Sequence, residues 1–124
     1  MFTMQLEGGA PIYEQLVSRI TALISNGTLS ENEKLPAVRE VAKALGVNPN
    51  TVQKAYSMLE QSGLIYSIPA KGSYVGKTEK IEEIIKKKIL AALSENISEA
   101  LKAGVAEEEI MLIIKNLKEE ISND

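Results

Sequence analysis

Cysteine and histidine are both missing from this 124-residue chain, and each absence closes a class of function. Without Cys there is no disulfide framework, which agrees with a reducing compartment. Without His or Cys, zinc sites and the usual nucleophile–base pairs have no raw material. Only carboxylates remain for catalysis, and no pair of them sits in a cleft-forming context, so no enzyme, metal or cofactor is expected. Nor is there a run of about 18 apolar residues, so nothing in the sequence reads as a membrane span. The opening MFTMQLEGGAP has neither a basic flank nor an apolar stretch. No secretory signal is therefore expected, and the expected location is cytoplasmic.

What is present suits a folded chain: 44% hydrophobic and 25% charged residues, enough for one small core and an appendage. The formal net charge of −3 argues at first sight against a polyanionic partner. Its distribution argues otherwise. Residues 1–78 hold seven Lys and Arg against six acids, a balance of +1, and residues 79–124 hold seven against eleven, a balance of −4. The acidity belongs to the tail, which leaves the head free to present a modest basic face.

Apolar spacing predicts a first helix over residues 11–26, with Pro11 at its first position. Ile12, Leu16, Ile20, Leu23 and Ile24 share one face, and Asn26-Gly27 supplies the stop. Residues 28–35 read as a loop. A second helix runs from Pro36 to about Leu45, turning Val38, Val41, Ala42 and Leu45 inward and Arg39, Glu40 and Lys43 outward. Gly46 ends it. Asn48 then caps a third helix with Pro49 behind it. Its buried stripe is Val52, Ala55, Tyr56 and Leu59, and Asn50, Thr51, Gln53 and Lys54 line the other side of its first two turns. Gly63 closes it. Residues 64–68 and 73–75 form a hairpin about Pro69-Ala70-Lys71-Gly72.

The tail reads as a long helix over residues 78–103, which Thr78-Glu79 can cap, with Ile81, Ile85, Ile89, Leu93, Ile97 and Leu101 recurring every four residues. Gly104 breaks it. A last helix starts near Glu107, with Glu107, Glu108 and Glu109 at the positive end of its dipole and Ile110, Ile113, Ile114, Leu117 and Ile121 as its apolar set. A tail this short cannot bury such a stripe alone. Either the head of the same chain or a second copy of the tail covers it, and consecutive Ile-rich helices favour self-association. Ile85, Ile89, Leu93, Ile97, Ile110, Ile113, Ile114 and Leu117 are the candidate dimer contacts.

The fold class is therefore mainly α with a small β-hairpin. A winged helix-turn-helix over residues 1–77 precedes a two-helix C-terminal dimerisation segment over residues 78–124. PIYEQLVSRI at residues 11–20, LPAVREVAKALGVNPNTVQKAYSMLEQSGLI at 35–65 and KGSYV at 71–75 resemble the GntR family of bacterial transcriptional regulators. The short helical tail resembles its YtrA-like subfamily. The resemblance implies a homodimeric repressor bound to a pseudo-palindromic operator. It also implies that Arg39, in the LP-x-x-R motif, touches DNA, as do the start of the third helix (Asn48, Asn50, Thr51, Gln53) and the wing (Lys71, Gly72, Ser73). Two positions depart from the family pattern. Ala37 stands where many relatives have Ser, which removes a capping box with Glu40. Ile68-Pro69 stands where many have a basic residue before the wing turn.

Side-chain chemistry leads to the same residues. A Gln or Asn amide matches adenine with two hydrogen bonds, which suits Gln53 and Asn50. Thr51 can bond a phosphate or lay its methyl against thymine. Arg39 can reach phosphate or guanine, and Lys54 and Lys71 neutralise backbone charge. Duller roles stand beside these: Asn48 as a helix cap, Lys54 as a solvated side chain, Tyr56 as core with its hydroxyl satisfied nearby. The alternative at the level of function is a winged-helix module that docks another protein without specific DNA binding. Nothing in the sequence names a small-molecule effector.

Overall fold

Residues 4–123 are described by a computed structural model, in which five helices and one antiparallel hairpin follow one another along the chain. α1 (Ile12–Ser25) begins after Pro11, which is its N-cap rather than its first helical residue. Leu16, Ile20, Leu23 and Ile24 are buried, as the spacing predicts. Ile12, expected on the same face, is exposed because it sits at the very end of the helix.

α2 (Val38–Leu45) starts two residues later than the sequence suggests. Leu35 and Pro36 are held extended instead: the Leu35 N–H donates to the Ser73 carbonyl at 2.8 Å, and the Pro36 carbonyl accepts from the Tyr56 hydroxyl at 2.6 Å. With Ala37 at the cap position, no side chain caps α2. Gly46 then takes φ 67°, which lets the Val47 N–H reach back to the Ala42 carbonyl at 3.0 Å and close the helix. α3 (Pro49–Gln61) follows at once, and Val52, Ala55, Tyr56 and Leu59 are its buried residues. The tight turn is thus built by one glycine and one asparagine cap.

β1 (Ile65–Ile68) pairs antiparallel with β2 (Gly72–Val75), with Tyr66 opposite Tyr74 and their rings stacked at 5.6 Å between centroids. The segment read as a loop pairs with the edge of β2 through an isolated bridge. The Asn32 N–H donates to the Val75 carbonyl, the Val75 N–H to the Glu33 carbonyl, and Lys34 bridges Tyr74. A two-stranded hairpin is marginal alone. This extra pairing and the packing of Leu64, Ile65 and Val75 into the core hold the wing against the helices.

α4 (Thr78–Lys102) and α5 (Glu107–Ser122) make up the tail. Glu31 caps α4 in place of Thr78 or Glu79: its carboxylate accepts the Thr78 N–H at 2.7 Å. The chain divides into two compact units, one ending at Ile85 and one beginning at Lys86, whereas the sequence reading set its division after residue 77. Ile81 is buried in the core of the first unit, and Ile84 and Ile85 pack against it.

A repeat of four residues outruns the 3.6-residue turn, so each apolar residue of α4 lies about 40° round the axis from the one before. From Ile81 to Leu101 the stripe turns through roughly 200°. It is a spiral, not a face. Ile89, Leu90, Leu93 and Leu101 are exposed and Ile97 is half-buried. α5 has no buried residue: Ile110 is half-buried, while Met111, Leu112, Ile113, Ile114, Leu117 and Ile121 are exposed.

Candidate nucleic-acid interface

The burial of Val52, Ala55, Tyr56 and Leu59 decides which side of α3 faces out. At about 100° per residue, the direction opposite that stripe carries Asn50, Lys54, Ser57 and Gln61, with Gln53 on its flank. All but Ser57, which is half-buried, are exposed. No acid lies in the first turn of α3, and its only acid, Glu60, lies in the last. A polar, mostly amide ridge on an uncharged-to-basic helix is what a major groove accepts.

Two members of this ridge are already held in place. The Gln53 amide donates to the Ser57 hydroxyl at 3.2 Å, which engages one of its two N–H groups. The other N–H and the carbonyl oxygen remain as a donor–acceptor fork, the pair that adenine needs. Lys54 is not merely solvated: its ammonium lies over the Tyr13 ring of α1, 3.8 Å from the centroid. Asn48 is a cap, its side-chain oxygen accepting the Asn50 N–H at 2.8 Å. Thr51 is half-buried beside that cap.

Arg39 projects from the first turn of α2, exposed. Between that turn and the wing lies a cleft of about 230 Å³, lined by Lys34, Ala37, Val38, Lys71, Gly72 and Ser73 among others. The first N–H groups of α2 lack a side-chain cap there, and two lysines, Lys34 and Lys71, line the same cleft. Unsatisfied amides at a helix N-terminus with nearby cations suit a phosphate oxygen. Gly72 has φ 127°, a conformation that residues with a side chain rarely adopt, and the flexible end of Lys34 lies beside it. Ser73 is half-buried, its hydroxyl 3.4 Å from that of Ser67 and its carbonyl engaged by Leu35.

Tyr56 joins these parts from below. Burial first, and Glu40 second, push its pKa well above the ordinary tyrosine value, so it stays a neutral donor to Pro36. Sequence reasoning missed Lys34, Ser57 and Tyr13. Ser57 had a signal, the four-residue spacing from Gln53. Lys34 and Tyr13 had none, since their roles depend on chain segments far apart. Among the described residues no group of acids could hold a metal ion, and no helix is long and apolar enough to cross a membrane.

Residues 12–75 match the family described as bacterial regulatory proteins, gntR family. The chain is 33% identical over 123 residues to the HTH-type transcriptional repressor YtrA of Bacillus subtilis (strain 168), covering 98% of this chain and 95% of that one. A transcriptional regulator from Oenococcus oeni of known structure is 38% identical, with a TM-score of 0.72, over 94% of this chain and 98% of that chain. AraR(DBD), solved in complex with operator ORE1, is 29% identical with a TM-score of 0.53, over 61% of this chain and 95% of that one. These proteins are transcriptional regulators or DNA-bound parts of them, not enzymes.

Proposed function

Because the chain belongs to the GntR family, it is a DNA-binding transcriptional regulator, and we propose that it works as a homodimeric repressor on a pseudo-palindromic operator in the cytoplasm. In this reading α3 enters the major groove, with Gln53 and Asn50 reading base edges and Thr51 against phosphate or a thymine methyl. Arg39, Lys34, Lys54 and Lys71 take phosphates, and the backbone around Gly72 and Ser73 lies along the groove edge. The observation that carries the reading is the amide ridge of α3, exposed opposite its buried stripe and flanked by the cleft between α2 and the wing.

The tail supplies the second half of the proposal. Ten large apolar residues of α4 and α5 are 44–72% exposed in the single chain. Covering each would contribute roughly 1 kcal/mol, half of the usual burial value for such side chains. A second copy of the tail is the partner proposed. Because Ile89, Leu93, Ile97 and Leu101 form a four-residue ridge, two copies would cross at an angle near 50° rather than lie as a coiled coil. Dimerisation places two heads on half-sites about one helical turn apart, ~34 Å. It raises the weak affinity of each head through effective concentration.

The test starts from a random-sequence duplex pool. Selection with the full chain should return a two-fold symmetric motif, and binding to it should fall steeply with salt. Retention of no duplex at low ionic strength would refute the reading and favour a protein-docking role.

A further inference from the structure

We infer that Tyr13 is a positioning residue for DNA binding, acting through Lys54; the inference rests on α3 being the groove-reading helix. Lys54 lies one turn beyond Asn50 on the outward ridge of α3, and its ammonium sits 3.8 Å from the centre of the Tyr13 ring. Lysine has a long, freely rotating stem, and fixing it on DNA costs rotamer entropy at the moment of binding. Here part of that cost is met when the protein folds, because the ring belongs to the first turn of α1. Tyr13 is half-buried and packed against the core. Its hydroxyl reaches the neighbouring Glu14 carboxylate at 3.3 Å, but it is the packing of the ring against the core that holds the face under Lys54.

The choice of an aromatic partner matters. A carboxylate in the same place would hold Lys54 equally well but cancel the charge a phosphate needs. A ring face attracts the cation through its quadrupole and leaves the charge intact, and the N–H groups on the far side of the ammonium remain free to donate. Nothing in the first turn of α3 competes, since it has no acid. Tyr13 thus holds Lys54 out along the ridge as a ready phosphate contact.

A double-mutant cycle on the full chain tests this, with the duplex recovered by selection from the random pool as probe. Tyr13→Leu should weaken binding about two- to five-fold, the usual worth of an exposed cation–ring contact. Tyr13→Phe, which keeps the ring, should bind like the unaltered chain. In a Lys54→Ala background, Tyr13→Leu should weaken binding no further. In the free protein, proton resonances of the Lys54 ε-methylene should show an upfield ring-current shift, kept by Tyr13→Phe and lost by Tyr13→Leu. Tyr13→Met serves in place of Leu if the latter melts below the assay temperature. The inference is overturned if Tyr13→Leu weakens the Lys54→Ala chain as much as the unaltered one, if Phe fails like Leu, or if neither changes binding. Failure of the unaltered chain to bind any duplex overturns both this and the proposed function; binding without coupling overturns this alone.

Discussion

Replacing Tyr56 by Phe removes a single oxygen from a buried point of the head. Tyr56 is only 4% exposed, and its hydroxyl donates to the Pro36 carbonyl at 2.6 Å. Phe fills the same ring space, so no cavity opens. The loss is one hydrogen bond plus a carbonyl left unsatisfied, about 1–2 kcal/mol. That corresponds to several degrees in the melting temperature of a small domain.

A second signature comes from pH. Burial and Glu40 raise the Tyr56 pKa above its ordinary value, so the folded state favours the protonated phenol. A raised folded pKa contributes stability that is complete below the unfolded tyrosine pKa of about 10 and is lost as pH climbs beyond it toward the folded pKa, at about 1.4 kcal/mol per unit. Phe carries no such proton. The stability gap between the two chains should therefore be constant up to about pH 9, begin to close near pH 10 and shrink by about 1.4 kcal/mol, most of its value, by about pH 11. Urea titrations at neutral pH and in alkali read both quantities. Equal stability at neutral pH, or a gap that stays open in alkali, would refute the assigned bond and burial.

Arg39→Ala and Gln53→Ala should each cost about 1–3 kcal/mol of specific binding while leaving the melt unchanged, and a normal gel shift from either removes that residue from the interface. Ala70 holds φ 66° at the hairpin tip, a region that costs L residues energy; Ala70→Gly should stabilise the chain by at most about 1 kcal/mol after the greater freedom of unfolded glycine is deducted, and a lower melting point would contradict this. Leu93→Asp together with Ile114→Asp should give a monomer in sedimentation and weaken operator binding well beyond the loss of any single contact; a persistent dimer would show that the tail is not the interface.

The helices of the head were legible because their signals are local. Asn48-Pro49 opened α3 and the Ile and Leu spacing of α1 picked its buried side, each within a few residues. The wing was harder. Residues 32–35 looked like a loop since the run Ser30, Glu31, Asn32, Glu33 and Lys34 is polar throughout and carries no alternation. They pair with β2 because its free edge offers carbonyls and an N–H that must be satisfied. In the tail, four-residue spacing reads as one stripe on paper but turns steadily around a real helix, so the spacing locates the two helices without saying which part of the stripe a partner covers.

By itself the order of residues determined that each helix of the head forms and which of its sides turns inward, since caps, left-handed glycines and 3.6-residue spacing act within one or two turns. The start of α2 was set instead by the contacts of Leu35 with Ser73 and of Pro36 with Tyr56. Only the tertiary structure decided what those elements hold. Glu31 reaches Thr78 across 47 residues, Tyr66 reaches Asn32 across 34, and Lys54 rests on Tyr13. Such pairs arise from how packed elements happen to face one another, and no short-range rule along a chain encodes that.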